Sequence, residues 1–248
     1  MDRRNFLKTG GMVVLGSMAA SSVLRAESLK GAHDASGISS ALNHFGVSQE
    51  DMKKVLAAAL EKGGDYADLF FEHTFNNYVG LQDGAVNRCN SNIDFGVGIR
   101  VLAGDQTGYA YVENVTLKEM LNAARTAARI ATGGKATLPV ALTDKPIKTN
   151  YYSVKMPWEE VILKSKMPYL QRLNDRIFAL DKRVHKVSAS LTDTTSHILF
   201  CNSEGVMYYD YRPMVTLGAV CIMEENGKVE NGYAARAYRM GFEFLNDD

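Results

Sequence analysis

The stretch NIDFGVGIRVLAGDQTGYAYV, residues 92–112, joins two runs of β-branched, aromatic and glycine residues through Ala103-Gly104-Asp105. β-Branched and aromatic residues favour strands, and a short glycine-containing connection between two such runs is typical of a hairpin. The stretch therefore predicts two antiparallel strands, which end near residues 102 and 113.

Strand-like composition extends outward from this hairpin over residues 65–114. Asp83-Gly84 is a dipeptide that favours a tight turn between paired strands. The pattern predicts four strands, at about 66–74, 77–83, 85–102 with a break near Ser91, and 107–113.

Helices are predicted on both sides of these strands. Ser48-Gln49-Glu50-Asp51 and Thr116-Leu117-Lys118-Glu119 have the spacing of a capping box, and apolar residues then recur at helical intervals. Glycine pairs at 63–64 and 133–134 end the two runs. A connection that contains three prolines follows at 135–157, and a third helix is predicted for 158–180.

The β pattern resumes after the third helix, with turns predicted at 202–205 and at Asn226-Gly227. A helix followed by a four-strand meander thus occurs twice, without a residue-level repeat. This order predicts an α+β fold with helices packed on an antiparallel or mixed β-sheet. The strand-like runs expected in this second region number five, one more than a four-strand meander, and lie at about 184–192, 196–201, 206–212, 214–224 and 228–235.

The first 26 residues have the features of an export signal. Arg3 and Arg4 precede Phe6-Leu7-Lys8, and an apolar stretch of small residues runs from Gly11 to Leu24. This resembles the twin-arginine signal, which a receptor recognises and which is not a membrane anchor. We expect residues 1–26 to be the signal, 27–46 a polar lead-in and 47–248 one folded domain, and we expect the protein to be exported, to the periplasm.

Charge disfavours nucleic acid as a partner. The whole chain is neutral, but residues 1–26 hold four bases and one acid, which leaves 24 bases, 27 acids and a net charge of −3 in the remainder. An acidic body without a continuous basic patch lacks the electrostatic surface that phosphate binding requires.

The residue pattern contains no recognisable catalytic or metal site. No two of the five histidines have the helical spacing of zinc ligands, and we interpret them as surface or strand-end residues. A three-dimensional site that combines His73, His185 or His197 with Cys89 or Cys201 stays open. The three cysteines form no CxxC pair and are interpreted as small buried apolar residues.

The glycines of the opening stretch suggest a binding hypothesis. Gly96 and Gly98 lie inside a predicted strand, where glycine allows another backbone to approach closely. An extended peptide could lie along a sheet edge there, and tight packing is the alternative. Asp94 and Arg100 flank the glycines, and Arg100 could neutralise Asp94 or receive a carboxylate.

Several stretches, taken in order, resemble the N-terminal part of the TldD/PmbA family. These are 65–71, 92–101, 107–111, 187–193, 202–205, 212–213 and 241–245. The resemblance covers about residues 47–248. Two departures are a run at 232–241 that is poorer in glycine than in the family, and a chain that stops at Asp248.

The resemblance implies a zinc-dependent peptidase that acts on unfolded peptides inside a chamber and pairs with a related subunit as a homo- or heterodimer. In metal-bearing members an HExxxH helix and a later cysteine hold zinc, and both lie beyond the position of Phe244-Leu245. No zinc ligand or catalytic residue is therefore carried onto this chain, and zinc is expected only in the full-length protein. The alternative is a non-catalytic PmbA-type partner or peptide-binding subunit.

Overall fold

The protein is described by a computed structural model over residues 37–133, 137–147, 151–152 and 154–245. Short 3-10 turns lie at Trp158–Glu160 and Phe242–Leu245. The α-helices in these ranges are α1 (Ile38–Phe45), α2 (Gln49–Leu60), α3 (Leu117–Ile130) and α4 (Leu163–Leu180).

The strands form a single seven-stranded sheet in the order β3-β2-β1-β5-β6, and both β4 and β7 lie on the outer side of β6. β4 runs parallel to the start of β6, and the other pairings in the described sheet are antiparallel. The strands are β1 (Tyr66–Gln82), β2 (Ala85–Ala103), β3 (Gln106–Val112), β4 (Thr143–Asp144), β5 (Val184–Asn202), β6 (Val206–Glu225) and β7 (Lys228–Tyr238).

Local sequence signals place the helix starts and hairpin turns as predicted. The Ser48 hydroxyl accepts a hydrogen bond from the backbone N–H of Asp51 at 3.0 Å, so it caps α2. Asp83 and Asn226 have φ angles of 49° and 52°, and the glycine after each also has positive φ. Two consecutive residues of this kind are what a type I′ hairpin turn requires.

The described helices lie on one face of the sheet. At one end α2 and α3 pack on β1, β2 and β3, and α1 packs on β5 and β6, around residues such as Leu69, Phe71 and Leu199. At the other end α4 and the Trp158 turn pack around Val79, Leu191 and Leu170. Alternate strand residues point to these two cores, so the opposite face of the sheet is free of helices within the described residues.

The α+β class is confirmed, but the predicted number of strands is wrong. The predicted breaks near residues 75, 91, 194 and 213 lie inside β1, β2, β5 and β6, so each meander has three long strands. Asn76 and Asn77 looked like a break in the sequence. Their amides instead bond Thr194 and Asp193 on the neighbouring strand, at 3.1 and 2.9 Å, which lets the ladder continue through polar residues.

Two further boundaries differ from the predictions. The part of the predicted lead-in that is described contains helix α1, whose Ile38, Ala41 and Phe45 are buried. The third helix begins at Leu163, because residues 161–162 after the Trp158–Glu160 turn are extended. None of the helices in the described ranges is long and apolar enough to cross a lipid bilayer.

Candidate functional site

A polar cluster lies on the helix-covered face of the sheet, between the two apolar cores. His44 comes from α1, His73 from β1, His197 from β5, and Tyr209 and Tyr211 from β6. Glu159, on the 3-10 turn, completes what we call the histidine cluster. His73 and His197 are 5% and 1% exposed and lie directly opposite each other on paired strands.

His197 uses both of its ring nitrogens. Its Nε2 lies 2.9 Å from Oε1 of Glu159, and its Nδ1 lies 2.7 Å from the Tyr209 hydroxyl. Because a carboxylate only accepts, Nε2 carries a proton. The Tyr209 hydroxyl can donate to Nδ1, or accept from it when the imidazole is charged.

The second oxygen of Glu159 is also occupied. It accepts from the Tyr211 hydroxyl at 3.1 Å and from the Thr195 hydroxyl at 3.3 Å. Burial favours the neutral acid, but the hydrogen bond and positive charge of His197, and the bond from Tyr211, outweigh it and lower the pKa of Glu159. Burial raises the pKa of both tyrosines, so they are neutral donors.

His44 and His73 form a second pair in the cluster. His44 Nε2 lies 2.8 Å from His73 Nδ1, and the His44 ring centroid is 4.9 Å from that of His197. His44 is half-buried, in the last turn of α1. Phe75 and Phe95 pack against the His73 ring, so apolar surface surrounds the imidazoles.

A buried ion pair continues the polar region toward α4. Lys166 Nζ lies 2.5 Å from Oδ2 of Asp193, with both side chains at most 4% exposed. Asn77 donates to the other oxygen of Asp193 at 2.9 Å. Burial raises the pKa of Asp193, although Lys166 and Asn77 both act in the opposite direction.

The histidine cluster does not fit a zinc ion. When two nitrogens bind one tetrahedral zinc with Zn–N distances of about 2.0–2.1 Å, the two nitrogens lie about 3.3 Å apart. The His44 and His73 nitrogens are at hydrogen-bond distance, and His197 has no nitrogen left for a metal. Across the part of the chain that the structure describes, no group of three His, Cys, Asp or Glu residues could hold a metal.

The two glycines proposed for peptide binding have close neighbours in this sheet. Gly98 pairs with Tyr111 of β3, so its strand already has a neighbour on both sides there. A Cβ at Gly98 would lie 2.5 Å from the Tyr109 hydroxyl, and one at Gly96 would lie 2.5 Å from the Tyr111 hydroxyl. Within the described residues, β2 lacks an outer partner only from Ala85 to Gly96.

Arg100 bonds the carboxylate of Asp68 and not that of Asp94, which was one of the partners considered for it. Its Nε lies 2.9 Å from Oδ2 of Asp68, which is directly opposite it on β1, whereas Asp94 lies opposite Thr74 and is exposed. Arg3, Arg4, Phe6 and Leu7, which are predicted to belong to an export signal, lie outside the described residues. Cys201 is buried as expected, but Cys89 is exposed, so that interpretation is wrong for Cys89.

The interpretation of the histidines is also wrong for His73 and His197, which are buried in mid-strand. A signal for this was present in the sequence. Period-two alternation places His73 on the same strand face as Leu69 and Phe71, and His197 with Leu199. His185 is exposed, as predicted.

Comparison with known families finds two adjacent matches. Residues 67–131 match the PmbA/TldA metallopeptidase domain 1, and residues 157–248 match the PmbA/TldA metallopeptidase central domain. The chain belongs to the PmbA/TldD family. The two matches divide the single sheet between them: β1, β2 and β3 fall in the first, and β5, β6 and β7 in the second.

Relatives within the PmbA/TldD family are longer than this chain. A metalloprotease TldD homolog of Haemophilus influenzae is 31% identical over 184 residues, which cover 73% of this chain and 38% of the relative. One from Buchnera aphidicola (subsp. Acyrthosiphon pisum) is 29% identical over 211 residues, 84% of this chain and 43% of the relative. The chain thus spans about two fifths of these curated relatives.

Solved structures share the fold. A candidate modulator of DNA gyrase from Bacteroides thetaiotaomicron superposes with a TM-score of 0.64 at 15% identity, over 80% of this chain and 46% of the other. TldE from Thermococcus kodakarensis superposes with a TM-score of 0.55 at 14% identity, over 76% of this chain and 43% of the other.

Proposed function

We propose that this chain supplies the first and central domains of an exported TldD-like zinc metallopeptidase that acts on unfolded peptides. The observation that carries the proposal is the pair of family matches, at 67–131 and 157–248. Each match covers one half of the same continuous sheet. The TldD homologs with about 30% identity support the same conclusion.

The proposal places the zinc chemistry outside the described residues. The histidine cluster does not fit zinc, because His44 Nε2 and His73 Nδ1 bond each other and both nitrogens of His197 bond Glu159 and Tyr209. We propose that the HExxxH helix and cysteine expected for the family belong to sequence that these 248 residues do not include. On this account the chain is inactive alone.

The helix-free face of the sheet is the surface proposed to line the substrate chamber. It contains a shallow depression of about 160 Å³, with small residues at Gly80, Ser190 and Gly218 and with Tyr78 and Tyr233 beside them. A floor of small residues lets an extended chain approach closely, and tyrosines provide both apolar contact and hydrogen bonds. The outer edge of β2 from Ala85 to Gly96, which has no strand partner within the described residues, is the proposed place for strand addition by a peptide.

A metal-free partner subunit is the second candidate. It is supported by the shared fold with TldE. In both cases we propose that the chain pairs with a related family subunit, and in neither case does it bind nucleic acid. Gyrase modulation, named for two of the similar structures, is disfavoured by the net negative charge of residues 27–248.

The test is zinc content and peptidase activity of the purified 248-residue chain, alone and mixed with a metal-bearing relative. We expect no stoichiometric zinc and no cleavage of an unfolded peptide by the chain alone. If the chain alone cleaved the peptide and a chelator abolished the cleavage, the proposal that the zinc site lies outside these 248 residues would be wrong. Co-elution with the relative and a changed cleavage rate would favour the partner-subunit function.

A further inference from the structure

Strand β7 lies at one margin of the sheet, and no strand of the described residues pairs with its outer edge. It is 11 residues long, contains no proline and pairs with β6 without a register shift. Proteins usually protect such an edge with a short strand, a proline, a bulge or a covering element. We propose that β7 pairs antiparallel with β7 of a second copy of this chain, about a two-fold axis at Tyr233.

Large side chains of β7 are open to solvent. Tyr233 is 73% exposed and Val229 is 61% exposed, and both point to the helix-free face of the sheet. Tyr233 lies opposite Val220 of β6, which is also exposed. In the proposed pair, Tyr233 lies directly opposite Tyr233 of the second copy. Aromatic side chains in this relation stabilise neighbouring strands, so pairing would cover apolar surface that one copy leaves in water.

The hairpin turn determines which backbone groups of β7 point outward. Asn226 and Gly227 form a two-residue loop between Glu225 and Lys228, and the residues that flank such a loop bond each other. Bonded and non-bonded pairs then alternate along the ladder, so the odd-numbered residues from 229 to 237 direct their N–H and C=O groups away from β6. Tyr233 is the middle residue of this set. Two copies related by an axis at Tyr233 can therefore bond each other through the whole set.

Charge selects this alignment over the neighbouring ones. With the axis at Tyr233, Glu230 lies opposite Arg236 of the second copy, and symmetry makes this contact twice. Both side chains are exposed. If the axis moves one residue toward the turn, Lys228 comes opposite Arg236 and like charges meet. If it moves one residue the other way, Glu230 and Arg236 are no longer opposite. Opposite charges that face each other across strands stabilise the pair, and like charges destabilise it.

Pairing through β7 would join the helix-free faces of the two copies. Tyr233 and Gly218 line the shallow depression on that face. A two-fold axis perpendicular to the sheet keeps both depressions on the same side, and the second copy adds its own Tyr233 beside the first. The inference deepens the proposed pairing with a related subunit, on which it rests, by assigning a surface and a second copy. It does not depend on the zinc chemistry.

Sedimentation equilibrium of the 248-residue chain, over about 1–100 μM, tests the pairing. We expect a reversible dimer of the wild type. Glu230→Arg would oppose two basic side chains, and Arg236→Glu would oppose two acidic ones. Each should raise the dissociation constant at least about tenfold, because like charges then meet twice. The matched control is Glu61→Arg, which reverses an exposed charge just after α2 and should keep the wild-type constant.

The two variants are complementary, which separates a contact between copies from a defect in folding. Mixed in equal amounts, Glu230→Arg and Arg236→Glu should form a heterodimer, because each chain then offers the charge that the other needs. The chain that carries both substitutions should dimerise like the wild type.

A wild type that stays monomeric over this range would overturn the proposal, even if it bound a metal-bearing relative. Failure of the mixture and of the doubly substituted chain to associate would overturn it as well. Association is measured here without zinc or cleavage. This pairing can therefore fail while the peptidase proposal holds, and the peptidase proposal can fail while this pairing holds.

Discussion

Lys166 of α4 and Asp193 of β5 form a buried ion pair across the interface between helix and sheet. Removal of one partner would leave an uncompensated charge in the interior, which is more costly than loss of the pair as a whole. Asn77 and the Trp158 ring, 5.4 Å from the Lys166 ammonium, complete the surroundings of the pair.

Lys166→Met is therefore expected to lower the free energy of unfolding by about 3–5 kcal/mol in urea denaturation. Lys164→Met, on the exposed side of the same helix, should change it by less than about 0.5 kcal/mol. The double variant Lys166→Met with Asp193→Leu should recover much of the loss. Equal stabilities for the Lys166 and Lys164 variants would show that the pair is not buried as described.

Glu159 predicts a specific dependence of stability on pH. Its pKa in the folded protein lies below its ordinary value, so its contribution is complete above the unfolded pKa of about 4.3 and is lost as pH falls through the folded pKa. Glu159→Gln should cost about 2–3 kcal/mol near neutral pH, and the difference from wild type should shrink below about pH 4. Glu160→Gln, at the exposed next position, is the control. A difference from wild type that stays constant down to about pH 3 would contradict the ionised, bonded state of Glu159.

Gly108 of β3 lies against the backbone of α3. A Cβ at this position would overlap the carbonyl oxygen of Ala127. A backbone atom cannot move aside by a change of rotamer, as a side chain can. Gly108→Ala is expected to destabilise the protein by about 2–3 kcal/mol, because β3 and α3 must separate. At Gly232 the nearest atom is Cys221 Sγ, at 3.3 Å, so thermal unfolding of Gly232→Ala should be close to that of wild type. Equal melting temperatures for the two variants would argue against this contact.

The proposed export signal predicts that its arginine pair is needed. Arg3→Lys combined with Arg4→Lys should retain the protein in the cytoplasm, because the receptor of the twin-arginine route recognises the pair. Arg25→Lys conserves the same charge outside the motif and should leave export unchanged. Cell fractionation with an antibody to the folded domain measures both variants. Periplasmic recovery of the double variant at the wild-type level would exclude this route.

Local signals were sufficient for much of the fold. Ser48 and Thr116 cap their helices, and Asp83-Gly84 and Asn226-Gly227 form the hairpin turns, because each depends on residues adjacent in sequence. Helix α1 was missed although Ile38, Ala41 and Phe45 have helical spacing. Because the residues around them are polar, the segment 27–46 was predicted to be a polar lead-in.

Long-range contacts account for what the sequence did not reveal. Glu159 meets His197 across 38 residues, and His44 meets His73 across 29, so no spacing rule connects them. Asp94 was one candidate partner for Arg100, whereas strand register places Arg100 opposite Asp68. Register depends on the pairing of whole strands, and the strands were predicted too short to define it.

The central claim is that these residues form the first and central domains of a metallopeptidase whose zinc is bound elsewhere. The most direct measurement is the intact mass of the native protein from its source, with metal content determined on the same sample. The account predicts a species heavier than this chain that carries about one zinc per polypeptide. A metal-free species of this length, shortened only by removal of the signal, would contradict it and leave the partner-subunit function.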